Sequence, residues 1–192
     1  MSSTITARLG GLLAAVLISL AATLAGSSAA SADDLSTTSD ETLAEIEAAA
    51  WPEYEMGDSG VDVLTAKLLI IERGYDPGPE NTEFDGRFRA AVLNYQVAND
   101  LEDSGALNAE TWLLLREQTF GEYGPGSEGN VVRAVQHLLN AKFQEGLDTD
   151  GIYGPLTEGA VRRAQEYFGI GVDGITGKYT FRALITHQGD DE

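Results

Sequence analysis

Gly126-Ser-Glu-Gly129-Asn-Val-Val-Arg-Ala-Val-Gln136-His-Leu-Leu139 is answered earlier in the chain by Gly57-Asp-Ser-Gly60-Val-Asp-Val-Leu-Thr-Ala-Lys67-Leu-Leu-Ile70, at an offset of 69 residues. The same offset joins Ala91-Val92 to Ala160-Val161, Gln96 to Gln165, Gly105 to Gly174, Thr111 to Thr180 and Leu115 to Leu184. The lead-ins Trp51-x-x-Tyr54 and Phe120-x-x-Tyr123 keep it too. A fixed period of this kind marks one supersecondary unit used twice, and it sets the architecture before any single residue is interpreted.

Within each unit the apolar spacing is helical. Val63, Ala66, Leu69 and Ile70 match Val132, Val135, Leu138 and Leu139, at steps of three and four that share a helix face. Asp58 and Ser127 are suitable N-caps for these first helices, with Gly74 and Gly146 as their stops. An Asp-Gly turn follows, Asp85-Gly86 in copy one and Asp150-Gly151 in copy two. A second helix then carries Ala91, Val92 and Tyr95, or Ala160, Val161 and Ala164. A glycine turn at Gly105 or Gly174 leads to a short third helix, capped by Asn108 in copy one and Thr176 in copy two. Trp112, Leu115, Phe181 and Leu184 point inward, and Trp51, Trp112 and Phe181 read as core or inter-module packing. No segment alternates over a strand length, so the chain is predicted to be all-α, three helices per unit.

The flanks differ in character. Arg8, the apolar stretch Leu9–Leu24 and Ala30-Ser31-Ala32 form the pattern of a signal peptide over residues 1–32. Residues 33–50 form an acidic spacer, in which Asp40 can N-cap a short helix running to Ala50, with Leu43, Ile46 and Ala50 on one face. The two modules then occupy 51–119 and 120–187, with an acidic tail at 188–192. The chain has no cysteine and a formal net charge of −19. Without disulfides, an exported protein of this size relies on packing or on module docking. The acidity disfavours nucleic acid as a partner, and suits either solubility outside the cell or a basic partner. Contact with a membrane is expected only through the leader before its removal.

Three linked submotifs carry a resemblance. Gly-x-x-Gly-x-x-Val-x-x-Val-Gln-x-x-Leu (Gly126–Leu139), Asp-Gly-x-Tyr-Gly-x-x-Thr-x-x-Ala-Val-x-x-x-Gln (Asp150–Gln165) and Val-Asp-Gly-x-x-Gly-x-x-Thr-Phe-x-x-Leu (Val172–Leu184) resemble the peptidoglycan-binding-domain-like family. The resemblance implies tandem three-helix modules of a secreted, non-catalytic protein that binds bacterial cell wall, through either its glycan or its stem peptide. A wall hydrolase or a basic protein is a further partner it allows. The alternative is an extracellular interaction protein that keeps the fold without wall affinity. Copy one departs from the pattern. Lys67 stands where copy two has Gln136, and Ser104 where it has Asp173. When Asp85-Gly86 is set against Asp150-Gly151, four residues are lost, Arg89 faces Gly154, and Thr157 has no counterpart. On that pairing the second helix of copy one starts about one turn later. The second copy is then the expected binding site.

The side-chain inventory argues against catalysis. There is no cysteine nucleophile, and the two histidines, His137 and His187, have no His or Glu partner at helical ligand spacing. Asp85, Asp150 and Asp173 precede turn glycines, where aspartate bonds local backbone N–H groups. Asp148-x-Asp150-Gly151 begins like a calcium loop but has Tyr153 and Gly159 where that loop needs Gly and Glu. No cofactor or metal is expected. Arg162-Arg163 is either a solvated helix face or a contact for stem-peptide carboxylates. The candidate ligand-binding residues are Gln136, Asp150, Tyr153, Thr157, Gln165 and Asp173. Recognition of a sugar or short peptide needs a groove with fixed polar groups, and the same residues can equally cap and pack within the fold.

Overall fold

The structure is a computed structural model describing residues 35–189. The predicted leader therefore lies outside the described residues, as do the first two acids of the spacer and the last three of the tail. Among the described residues there are seven helices: α1 (Asp40–Ala48), α2 (Val61–Glu72), α3 (Gly86–Ala98), α4 (Ala109–Thr119), α5 (Asn130–Phe143), α6 (Pro155–Phe168) and α7 (Lys178–Thr186). The only extended pairing described is four isolated antiparallel bridges, so the protein is all-α. None of these helices is long and apolar enough to cross a membrane.

The repeat is visible atom by atom. Tyr54 bridges Leu107 as Tyr123 bridges Thr176, and Ser59 bridges Glu83 as Glu128 bridges Ile152. Each module is thus α2–α3–α4 or α5–α6–α7, with its lead-in pinned by two isolated bridges to the loops before its second and third helices. Gly57 and Gly126 turn the chain into each module at φ 107° and 91°, a region that favours glycine.

These bridges correct the pairing of the two copies. Glu83 and Ile152 occupy the same place, as do Phe84 and Tyr153, whose N–H groups donate to Asp58 O and Ser127 O. The offset of 69 therefore runs without a gap, and α3 and α6 begin at equivalent positions. Asp85 is the structural counterpart of Gly154, and Phe88 that of Thr157. No turn is lost. The Asp-Gly dipeptides misalign because aspartate does two different jobs here. Asp85 caps α3, its Oδ1 accepting from Phe88 N at 2.8 Å, whereas Asp150 sits in the preceding loop.

Several expected caps shift by one or two residues. α2 and α5 start from Gly60 and Gly129. Asp58 and Ser127 instead close the turn before them, accepting from Glu55 N and Gly124 N. Asn108 does cap α4, through Thr111 N, while α7 starts from Gly177, leaving Thr176 in its bridge. α5 ends at Gln144, which takes up the left-handed conformation two residues before Gly146. α1 is capped by Ser39, whose Oγ accepts from Thr42 N.

One hydrophobic core runs through both modules. α2 and α5 are its axis and pack along each other. α2 is buried on nearly every side, from Asp62 to Ile70. Trp112 and Phe181 are fully buried. Trp51 stacks on Trp112, and Phe120 on Phe181. α1 packs across α7 at one end of the molecule.

Candidate functional site

Three helical glutamines, Gln136 and Gln165 of the submotifs and Gln96 of the first copy, are hydrogen-bond clips. Gln136 Nε2 donates to Asp150 Oδ1, Ile152 O and Thr157 Oγ1 at 3.0, 3.1 and 3.3 Å, and its Oε1 accepts from Gly151 N at 2.9 Å. Gln165 repeats the arrangement with Asp173 Oδ1, Ile175 O, Thr180 Oγ1 and Gly174 N. Gln96 does so with Ser104 Oγ, Ala106 O, Thr111 Oγ1 and Gly105 N. In each case a buried helical amide fastens the following loop to the next helix. The aspartate orders its loop as well: Asp150 Oδ1 accepts from Ile152 N, and Asp173 Oδ1 from Ile175 N. Gly151 is at φ 76°, and a Cβ there would stand 3.0 Å from Gly129 O, so the clip needs glycine at that point.

The six candidate residues therefore form two groups rather than one groove. Gln136, Asp150 and Thr157 gather at the α5–α6 clip. Gln165 and Asp173 belong to the α6–α7 clip. Tyr153 lies between the two, fully buried, its hydroxyl donating to Gly174 O at 2.9 Å. Burial pushes the Tyr153 hydroxyl well above its ordinary pKa. Asp150 is shifted the other way, because the Ile152 N–H and then the Gln136 amide hold its carboxylate in the charged form.

At the first group the surface opens into a cleft of about 160 Å³, lined by Gln136, Asp150, Thr157, Asp148 and an apolar rim of Leu147, Ile152 and Leu156. Gly154 and Pro155 complete it at the start of α6. Leu156 is 77% exposed and Ile152 52%. These rim residues are absent from the sequence-based candidates. A signal existed for Leu156: it lies off the Thr157–Ala160–Val161–Ala164 face that α6 buries, so its side chain has no core to enter.

The equivalent place in module one is occupied by its own side chains. Lys67 replaces Gln136 and donates to Pro79 O and Asn81 Oδ1 at 3.1 and 2.7 Å. Phe88 fills the position of Thr157, fully buried against Phe84. Arg87 stands at the position of Leu156, folds back over Gly78 and pairs with Asp76. The rim that is apolar in module two is charged here, with Glu83 facing where Ile152 would be.

The remaining sequence candidates are engaged elsewhere. Arg162 binds Glu158 and the carbonyl of Val172, and Arg163 binds Glu145. His137 is half-buried on α5, and burial together with the nearby Arg133 lowers its pKa. His187 stacks on Phe143. No three His, Asp or Glu side chains come close enough to hold a metal ion among the described residues.

The family model described as "Putative peptidoglycan binding domain" matches the chain twice, at residues 59–115 and 128–184. The chain belongs to this family. Both copies of the peptidoglycan-binding domain are recognised, the divergent first one included, and the two matches begin and end at the same offset of 69. A zinc D-Ala-D-Ala carboxypeptidase of Streptomyces albus G is 37% identical over 98 residues, covering 50% of this chain and 36% of that protein. The chain thus spans about a third of the length of that relative.

Proposed function

We propose that this protein is a secreted, non-catalytic cell-wall binder whose second peptidoglycan-binding domain makes the contact, with the first serving as its structural support. The observation that carries this reading is the asymmetry within the family fold. The cleft beside Gln136, Asp150 and Thr157 is open in module two, and its counterpart in module one is filled by Lys67, Phe88 and Arg87. The polar atoms of the clip hold the cleft floor in shape, and the exposed rim of Leu147, Ile152 and Leu156 offers the contact area. Gln165 and Asp173 fasten the later part of the same helix to the loop before α7. The non-catalytic assignment is supported by the family model, which describes a binding domain at both of its matches. The similar protein of Streptomyces albus G is by name a carboxypeptidase of D-Ala-D-Ala.

The test is co-sedimentation of residues 33–192 with purified insoluble sacculi at low and high salt. Sedimentation with the wall is expected under both conditions. Protein that stays in the supernatant in both overturns the reading, and a basic protein captured in a salt-sensitive complex would then favour the interaction-protein alternative suggested by the net charge of −19. Clearing of the sacculus suspension on incubation would overturn the non-catalytic assignment.

A further inference from the structure

We infer that the module-two cleft takes the amine-bearing aliphatic side chain of a stem-peptide diamino acid, and so favours stems whose amine is not cross-linked. This rests on the wall-binding reading and names the part of the wall that is held. Three observations point to it.

The first is size. Pockets for drug-sized ligands measure about 300–1,000 Å³, and this cleft is about 160 Å³. It suits a single long side chain better than an N-acetylated sugar ring with its neighbours. The second is the lining. Leu147, Ile152 and Leu156 are aliphatic, and the cleft contains no aromatic ring on which a sugar face could stack. The third is charge. Asp148 and Asp150 are the ionisable groups of the lining, and no basic residue is among them. Asp150 stays ionised because its clip bonds favour the carboxylate. The positive end of α6 is met by Glu158 in the first turn. A carboxylate terminus or a phosphate entering the cleft would meet two negative groups. An ammonium on a methylene chain meets them as partners, with its carbons along the leucine and isoleucine rim.

Cross-linking acylates that amine and removes its charge. The cleft therefore distinguishes open stems from joined ones by the charge of one nitrogen. The equivalent place in module one is taken by the buried side chains of Lys67 and Phe88, which leaves selectivity to the second module.

Titration of residues 33–192 with a soluble stem tetrapeptide, monitored by amide chemical shifts, tests the inference. The free-amine peptide should shift resonances of Ile152, Leu156 and Thr157, and the same peptide with its side-chain amine acetylated should bind at least several-fold more weakly. Asp148→Asn should weaken the free-amine peptide by roughly two- to fivefold, the factor that an exposed charge pair supplies, and leave the acetylated peptide unaffected. Leu156→Ser, a change at an exposed position, should weaken both. Equal binding of the two peptides overturns the inference. So does saturation of the same resonances by a chitin oligosaccharide with no response to either peptide. In both cases sedimentation with sacculi would still stand. Loss of sedimentation as well would remove the wall-binding reading itself.

Discussion

Gln165 commits its whole amide to the interior, and replacing it with leucine would strand the buried N–H of Gly174 and remove the bonds to the carbonyl of Ile175 and the hydroxyl of Thr180. A buried group left without its partner costs about 1–3 kcal/mol. Gln165→Leu should therefore lose about 3 kcal/mol of stability, seen as a lower urea midpoint with unchanged slope. Tyr153→Phe should be milder, about 1 kcal/mol, and should leave wall sedimentation intact, because the hydroxyl that is lost faces Gly174 O and not the cleft. Acid makes a separate prediction. Asp150 has its folded-state pKa lowered, so its contribution is present above the ordinary carboxylate value of about 3.9 and is lost as pH falls through its lower folded value. Asp150→Asn should flatten the acid limb of the stability curve below about pH 4, measured by thermal unfolding at successive pH values. The spacing of Gln, Asp-Gly and Thr was legible in the sequence, and so was its link to the fold. Its division of labour was not. The same residue types fasten a loop and line a cleft, and only burial tells which atoms face outward.

Among the elements, α1 was the least legible and is held by the least local contact. Its composition suits a solvated spacer. Its anchor is Arg182, more than 130 positions later in the chain, whose guanidinium donates to Ile46 O, Glu47 O and Ala49 O at 3.0, 2.9 and 2.6 Å. Those carbonyls close the C-terminal end of α1, where a cation is favoured. Arg182 also lies 3.8 Å over the Trp51 ring, and Glu47 reaches Arg116 at 2.6 Å. Thr38 Oγ1 accepts from Gly171 N at the other end of the helix. No periodicity within residues 33–50 encodes an arginine on α7. Arg182→Met should therefore release α1 before it unfolds the modules. Amides of the last turn of α1 should lose hydrogen-exchange protection, while those of α5 keep theirs. Equal loss in α1 and α5 would instead make Arg182 a determinant of the whole core. The start of α3 was misread for the opposite reason. Asp85-Gly86 looks locally like Asp150-Gly151, and the bridge from Glu83 to Ser59, a distant pairing, decides the alignment.

At the scale of the molecule, the two modules share one core, and a buried charge pair lies on the seam. Asp62 of α2 and Lys142 of α5 approach to 2.8 Å with side chains 6% exposed. Tyr54 donates its hydroxyl to Asp62, and Lys142 donates to Ile185 O. Burial pushes each member toward its neutral form, raising the Asp62 pKa and lowering that of Lys142, and their contact opposes that push. Such a pair is worth little against a well-packed apolar replacement, but breaking it is costly. Lys142→Met alone should lose about 3–5 kcal/mol, because Asp62 is left buried without its counter-charge. Adding Asp62→Leu should recover at least half of that loss, since the stranded carboxylate goes with it. A double variant no more stable than Lys142→Met would show that the cost comes from the Ile185 contact instead. The shared core makes a companion demand. Trp112 reports on the first module and Trp51 on its contact with Arg182 of α7, whereas far-ultraviolet circular dichroism reports on all the helices. Their urea transitions should coincide in the native protein, because neither module can expose α2 or α5 without uncovering the other. Two separated transitions would mean that the modules fold independently, and the filled first module could then not act as the rigid support of the open second one.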